Sequence, residues 1–193
     1  MASPPPPDIQ GLIARLARAL RTRDIGFMLI GGQAVLLHGA PRLTDDIDLT
    51  LGIGPDQVEI VQDVVRALGL IPLAPDPIRF VQETFVYPAR DPGTGFRVDF
   101  IFSTTPFEQQ AIAHAVLVPI ANERVPFASA EDLIIHKLFA GRARDWDDAV
   151  SVVRRQGPRL DWNYIEHWSR QFAQVPGREN LPAQVVRLRA SGA

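Results

Sequence analysis

The fold of this chain is decided by two stretches, Gly31-Gly32-Gln33-Ala34 and Thr44-Asp45-Asp46-Ile47-Asp48-Leu49-Thr50-Leu51. The apolar run at 27–30 predicts a buried strand that the glycines end, and residues 33–38 then have helix-forming character. Glycines between a strand and a helix let a phosphate group approach the backbone, and N–H groups at the helix start favour its negative charge. Most Gly-Gly pairs are plain turns, so the glycines indicate a phosphate site only together with the second stretch.

The second stretch predicts a strand that carries two acids on one face. Side chains alternate along a strand, so Asp46 and Asp48 point the same way while Ile47 faces the core. Two carboxylates this close repel each other unless a cation lies between them. Because Mg²⁺ prefers oxygen ligands and often takes one or two carboxylates plus substrate phosphates, we expect Asp46 and Asp48 to bind Mg²⁺ or Mn²⁺.

A third acid lies in the middle of another predicted strand, residues 96–102. If that strand lies beside the strand of Asp46 and Asp48, Asp99 completes a group of three carboxylates, as two-metal phosphoryl transfer requires. The alternative is that Asp99 faces solvent, opposite the apolar residues Val98 and Phe100.

These residues resemble the nucleotidyltransferases of the DNA polymerase β superfamily, specifically the AbiEii-like and MenT-like bacterial toxins. The resemblance rests on the glycine pair, on the three aspartates and on residues 131–148, and it covers about residues 27–150. It implies an α/β nucleotidyltransferase fold, with a small mixed sheet flanked by helices and a C-terminal helical extension. It also implies transfer of a nucleoside monophosphate from an NTP, with release of pyrophosphate.

The resemblance assigns roles to particular residues. It implies metal binding by Asp46, Asp48 and Asp99, and a catalytic role for Lys137 and Asp145, which contact nucleotide phosphate or shape the acceptor site. The residues expected to bind the nucleotide are Gly31, Gly32, Gln33, Lys137 and Arg144. Lys137 also stands out by itself, because it is the only lysine among twenty basic residues and a compact ammonium suits a phosphate oxygen.

Composition limits the remaining possibilities. The chain has 193 residues, 46% of them hydrophobic, which is enough for one substantial core. The absence of cysteine excludes disulfides and thiolate metal sites and is compatible with a reducing cytoplasm. No apolar run is long enough to cross a bilayer, so we expect a cytoplasmic protein without membrane contact.

The sequence predicts three parts: a flexible, proline-rich lead-in at residues 1–10, a nucleotidyltransferase core at 11–128 and a C-terminal helical segment at 129–193. The first predicted helix has Asp8 as its N-cap and carries Leu12, Ile13, Leu16, Ala17 and Leu20 on one face. The patterns also predict helices at 55–68 and 106–115 and strands at 78–87 and 116–120. A capping-box-like start at Ser129 and Asp132 opens the helical segment.

Charge is divided unevenly along the chain. Residues 1–136 contain ten arginines and sixteen acids, whereas residues 137–193 contain ten basic residues and six acids. The helical segment is therefore expected to face an anionic acceptor, through Arg154, Arg155, Arg159, Arg178, Arg187 and Arg189. An RNA 3′ end fits this charge, and the resemblance to MenT-like enzymes implies that the RNA is a tRNA. A solvated arginine-rich surface is the alternative.

Three other functions stay open at this point: a non-catalytic nucleotide-sensing module, and transfer to a small molecule of the antibiotic type or to a protein. If the acceptor is RNA, the resemblance implies a toxin that has a cognate antitoxin protein.

Overall fold

The computed structural model describes residues 8–192, which form two compact units. The first unit contains residues 8–29 and 44–127, and the second contains residues 30–43 and 128–192. Most of the predicted lead-in, residues 1–7, lies outside the described residues. Asp8 begins the described part and caps the first helix, where its side chain accepts a hydrogen bond from the backbone N–H of Gly11. The domain boundaries expected from the sequence stay a prediction.

The first unit is built around a mixed sheet, which in the described residues has seven strands in the order β3-β4-β5-β2-β1-β7-β6. The strands are β1 (Phe27–Ile30), β2 (Asp46–Leu51), β3 (Ile71–Pro72), β4 (Val86–Arg90), β5 (Arg97–Phe102), β6 (Val116–Ile120) and β7 (Glu123–Phe127). Strand β2 runs parallel to β5 and β1 runs parallel to β7, whereas the pairs β3–β4, β4–β5 and β6–β7 are antiparallel. Apolar residues of β2 and β5, including Ile47, Val98 and Phe100, are fully buried.

Helices account for most of the remaining described chain. They are α1 (Ile9–Arg21), α2 (Gly31–His38), α3 (Val58–Ala67), α4 (Pro77–Thr84), α5 (Pro106–Ala113), α6 (Ala130–Ala140), α7 (Ala143–Gln156), α8 (Trp162–Phe172) and α9 (Leu181–Ala190). Helices α1, α3, α4 and α5 belong to the first unit, and α2 and α6 to α9 belong to the second. The mixed sheet with flanking helices and a helical C-terminal part confirms the predicted fold class.

One predicted strand is wrong. Residues 78–87 were expected to be extended, but α4 occupies Pro77–Thr84 and only the last two residues belong to β4. The side chain of Asp76 accepts a hydrogen bond from the backbone N–H of Arg79, and Pro77 takes the first helical turn, where its missing N–H costs nothing. Phe85, at a φ of 59°, then ends the helix. The Asp-Pro pair outweighs the β-forming content of the residues that follow.

The second unit is held together by polar contacts at the start of α6. Ser129 caps this helix, as expected, by accepting a hydrogen bond from the backbone N–H of Asp132. The hydroxyl of Tyr164 on α8 donates a hydrogen bond to Asp132 Oδ1 at 2.7 Å. Burial is the main cause that raises the pKa of Tyr164, and the nearby carboxylate of Asp132 raises it further. The ring Nε2 of His38, at the end of α2, lies 2.8 Å from the carbonyl oxygen of Ala128.

No helix within residues 8–192 is long and apolar enough to cross a membrane.

Candidate active site

Strands β2 and β5 bring the three predicted acids to one face of the sheet. They pair in parallel, with Asp48 opposite Asp99 and Asp46 opposite Arg97. Neighbouring strands lie about 4.8 Å apart, and residues paired in register share a face. Asp46, Asp48, Asp99 and Arg97 therefore form one cluster, which we call the carboxylate face. The expectation that the two strands are neighbours is confirmed.

Arg97 supplies the positive charge on the carboxylate face. Its Nε donates to Asp99 Oδ1 at 2.8 Å, and the hydrogen bond, reinforced by the charges of Asp99, Asp46 and Asp48, raises the pKa of Arg97. Burial raises the pKa of Asp99, and the charge of Asp46 adds to this, although Arg97 acts in the opposite direction. Arg97 thus binds one of the three carboxylates of this face, Asp99, directly.

The donor set of the carboxylate face fits a divalent cation in type and register. Carboxylates are the hard oxygen ligands that divalent cations such as Mg²⁺ prefer. A cation bound between three carboxylates on one side of a sheet would also reduce the repulsion between them. In the described residues, however, no three His, Cys, Asp or Glu side chains are arranged to hold a metal ion. Arg97 already occupies an oxygen of Asp99 that such an ion would need. Metal binding by these residues stays a prediction.

The glycine pair opens α2 in the second unit. Gly31 has a φ of 62°, in the left-handed region that glycine adopts without strain. In the described chain no side chain caps the start of α2, and the buried Nε2 of Gln33 has no hydrogen-bond partner there either. A buried amide without an acceptor is costly, and the first N–H groups of a helix attract anions. These donors fit a phosphate group, and phosphate binding at the glycine pair stays a prediction.

Lys137 lies in a buried ion network that joins α6 to α7. Its Nζ donates to Asp145 Oδ1 at 3.0 Å and lies 2.8 Å from Asp148 Oδ2, and only 8% of its side chain is exposed. Each aspartate also binds an arginine: Asp145 accepts from Arg142, and Asp148 accepts two hydrogen bonds from Arg42. We call these five residues the lysine network.

The lysine network keeps the carboxylate of Asp145 ionised. Burial alone would raise the pKa of Asp145, but hydrogen bonds from Arg142 and Lys137, together with their positive charge, hold it below its ordinary value. Asp145 therefore stabilises the fold above the pKa that it has in the unfolded chain. This contribution is lost as the pH falls through the lower pKa of the folded state.

The predicted site residues thus form separate groups. Asp46, Asp48 and Asp99 come together in the first unit, and Lys137 comes together with Asp145 in the second. Arg144, expected to bind the nucleotide, is exposed and has no hydrogen bond or ion pair within residues 8–192. The sequence did not single out Arg97, Asp148 or Arg42. Arg97 could have been found from its position two residues before Asp99 on the same strand, which places both side chains on one face. Asp148 could have been found from its position three residues after Asp145, which places both on one face of a helix.

Comparison with known proteins identifies the family to which this chain belongs. The profile described as "Nucleotidyl transferase AbiEii toxin, Type IV TA system" matches residues 15–188. The chain belongs to this family. It is therefore a nucleotidyltransferase of a toxin–antitoxin family, and the predicted family and enzyme class are confirmed. No curated protein matches the chain.

Solved structures include several similar folds. An antigenic nucleotidyltransferase-like protein from Paracoccidioides brasiliensis has 18% identity and a TM-score of 0.58, with 97% of this chain and 92% of that chain covered. The antibiotic-resistance factor ANT(2'')-Ia has 21% identity and a TM-score of 0.49, with 94% and 89% covered. A CCA-adding enzyme has 10% identity and a TM-score of 0.42, with 93% and 51% covered. The first likeness shows the fold alone, and the other two are too distant to add to it.

A first prediction tests the carboxylate face. Asp48→Asn should abolish nucleotidyl transfer but leave the melting temperature of the metal-free protein unchanged or slightly higher, because it removes one of several repelling charges. Asp45→Asn is the matched control, since Asp45 is an exposed acid outside β2. The measurements are incorporation of labelled nucleotide and thermal unfolding in EDTA. Activity in Asp48→Asn, or its loss together with a large fall in melting temperature, would contradict a metal-binding role.

A second prediction separates two roles of Lys137. If the lysine holds α6 and α7 together, Lys137→Arg should lower the free energy of unfolding by about 1–3 kcal/mol, because a larger guanidinium must fit a filled, buried site. The protein that remains folded should use NTP with an unchanged KM. A wild-type melting temperature with a KM raised about tenfold, equivalent to 1.4 kcal/mol, would instead show that the ammonium contacts the nucleotide.

Proposed function

We propose that this protein is a Mg²⁺-dependent toxin that transfers a nucleoside monophosphate from an NTP to the 3′ hydroxyl of a tRNA, and that a cognate antitoxin restrains it. The observation that carries the chemistry is the in-register pairing of Asp48 with Asp99, with Asp46 on the same face. Family membership supports nucleotidyl transfer and a toxin–antitoxin setting.

The reaction joins the acceptor oxygen to the α-phosphorus of the NTP and breaks the bond between the α-phosphorus and the bridging oxygen of pyrophosphate. Asp46, Asp48 and Asp99 would hold the divalent cation. When bound, the cation supplies positive charge to the α-phosphate and to the departing pyrophosphate. One of the three carboxylates, Asp99, would also accept the hydroxyl proton.

The start of α2 would bind the triphosphate. The uncapped N–H groups at Gly31 and Gly32 offer donors to phosphate oxygens, and the buried Nε2 of Gln33 offers another. Exposed Arg144 would add a further positive charge for the nucleotide.

The acceptor is argued from the arginines of the second unit. Five of the six arginines named from the sequence already make contacts with carbonyl oxygens or aromatic rings within the described chain. Arg155 and Arg159 donate to backbone carbonyls, and the others stack on rings: Arg178 on Phe139, Arg187 on Trp146 and Arg189 on Trp162. Among these six, only the exposed Arg154 has no such contact in residues 8–192.

Arg154 lines a cavity of about 680 Å³ in the second unit. The cavity lies between the segment 39–41, which follows α2, and α7, and its other charged residues are Arg155 and Asp147. The segment is fixed to α7, because the guanidinium of Arg155 donates to the Gly39 carbonyl and Ser151 accepts from the backbone N–H of Ala40. Two arginines against one aspartate favour an anionic acceptor over an aminoglycoside, which is cationic.

A third prediction tests the acceptor. With labelled NTP and Mg²⁺, the protein should label tRNA in a cell extract, and Arg154→Glu should weaken this labelling and reduce its salt slope by about one. Arg155 is left in place, because its hydrogen bond to Gly39 would make Arg155→Glu a structural change. Arg170→Glu is the control, since Arg170 does not line the cavity and its one ion pair, with Glu166, lies on the surface, where such pairs contribute little to stability.

The comparison has distinct outcomes. Loss of RNA labelling in Arg154→Glu with normal labelling in Arg170→Glu supports the RNA acceptor. Label in protein or in small molecules, or RNA labelling that ignores both salt and Arg154→Glu, contradicts it. Pull-down of the tagged Asp48→Asn protein from cells that express its neighbouring genes tests for the antitoxin.

A further inference from the structure

Arg97 and Asp99 form an ion pair on the face that the proposed function gives to the metal. Arg97 precedes Asp99 by two residues on β5, so both side chains lie on one face, and Arg97 is paired across the sheet with Asp46. The contact is a single hydrogen bond of 2.8 Å from Nε to Oδ1. The arginine side chain is 44% exposed, whereas that of Asp99 is 16% exposed.

This ion pair differs from the lysine network in how easily it can open. Lys137 is buried between two carboxylates, and each of those carboxylates keeps an arginine of its own. Arg97 makes one contact from a half-exposed position, and such pairs contribute little to stability. A cation that binds the carboxylates more strongly can therefore displace the guanidinium at small cost.

We propose that Arg97 is a built-in counter-ion of the carboxylate face: it neutralises Asp99 in the metal-free protein, is displaced when a divalent cation arrives with a nucleotide, and then binds a nucleotide phosphate. The inference rests on the proposed function, because it concerns the same site. It makes Arg97 a residue that couples metal binding to nucleotide binding, a role distinct from that of the metal ligands.

The chemistry of a guanidinium supports both halves of this role. As a permanent cation, Arg97 competes with a metal for the same carboxylates, so the metal alone should bind weakly. Once displaced, its planar fork is suited to a phosphate group, and a nucleotide that arrives with the metal provides one. A nucleotide should therefore strengthen metal binding both by bringing ligands and by giving Arg97 a new partner. Metal and nucleotide then bind cooperatively, and the coupling is reciprocal.

The inference is tested by Mn²⁺ binding to the metal-free protein, measured by calorimetry with and without a non-hydrolysable NTP analogue. Arg97→Gln should bind Mn²⁺ alone about tenfold more tightly than the wild type, because one competing charge is gone. The analogue should strengthen Mn²⁺ binding less in Arg97→Gln than in the wild type. Arg97→Lys, which keeps the charge without the fork, should bind Mn²⁺ alone like the wild type and show reduced coupling.

Arg66→Gln is the matched control. Arg66 lies on α3 in the same unit and forms an exposed ion pair with Asp63, away from the paired strands β2 and β5. Its Mn²⁺ binding and its coupling should equal those of the wild type. A melting curve in EDTA shows that each variant is folded before binding is measured, and if Arg97→Gln fails to fold, the reduced coupling of Arg97→Lys decides the question.

The outcomes separate the inference from the function on which it rests. Equal or weaker Mn²⁺ binding in Arg97→Gln, or undiminished coupling in Arg97→Lys, overturns the counter-ion role and leaves the nucleotidyltransferase site in place. Absence of Mn²⁺ binding from wild type and variants alike, even with the analogue, overturns the metal-dependent function itself.

Discussion

The in-register pairing of β2 with β5 is the constraint on which the proposed chemistry depends. It sets Asp48 opposite Asp99 and Asp46 opposite Arg97, and the buried residues between them, Ile47 and Val98, fix which side of the sheet the acids take. A shift of one residue in either strand would turn its acids into the core, where an unpaired charge is very costly. The hydrophobic core of the first unit thus keeps the three carboxylates on one side of the sheet.

The two units deal with buried and partly buried charge in different ways. In the second unit, three cations and two carboxylates form a closed network in which Lys137 and both aspartates are buried, and this network joins α6, α7 and the segment after α2. In the first unit, the exposed guanidinium of Arg97 holds Asp99 through a single hydrogen bond. A closed and buried network maintains a structure, whereas an exposed ion pair with one hydrogen bond is suited to exchanging its cation during a reaction.

Sequence patterns predicted the carboxylate face more fully than the lysine network. The reason is that the carboxylate face follows from residues close together in the sequence, whereas the lysine network joins residues far apart. Strand alternation is local, so the spacing of Asp46 and Asp48 was enough to place them on one side. Asp99 required only that two strands be neighbours. Arg97 lay within the same local pattern, and its pairing with Asp99 could have been predicted from their spacing.

The lysine network depends on contacts that no local pattern encodes. Composition singled out Lys137 as the only lysine, but its two carboxylates lie on the next helix, and the arginine that completes Asp148 lies 106 positions earlier in the chain. The phosphate contact expected of Lys137 stays a prediction, whereas the carboxylates around it could not be anticipated from a local pattern. The strand expected at residues 78–87 is wrong, because β-forming residues were weighed above the cap formed by Asp76 and Pro77, which starts α4.

The central claim is that Asp46, Asp48 and Asp99 hold the divalent cation of nucleotidyl transfer, and a crystal structure with Mn²⁺ and a non-hydrolysable NTP tests it most directly. Anomalous scattering locates the manganese without reference to the protein. The account predicts manganese within about 2.0–2.3 Å of carboxylate oxygens of Asp46 and Asp48, with Arg97 no longer bonded to Asp99. A bound nucleotide with no manganese at these carboxylates and with the Arg97–Asp99 hydrogen bond intact would contradict it.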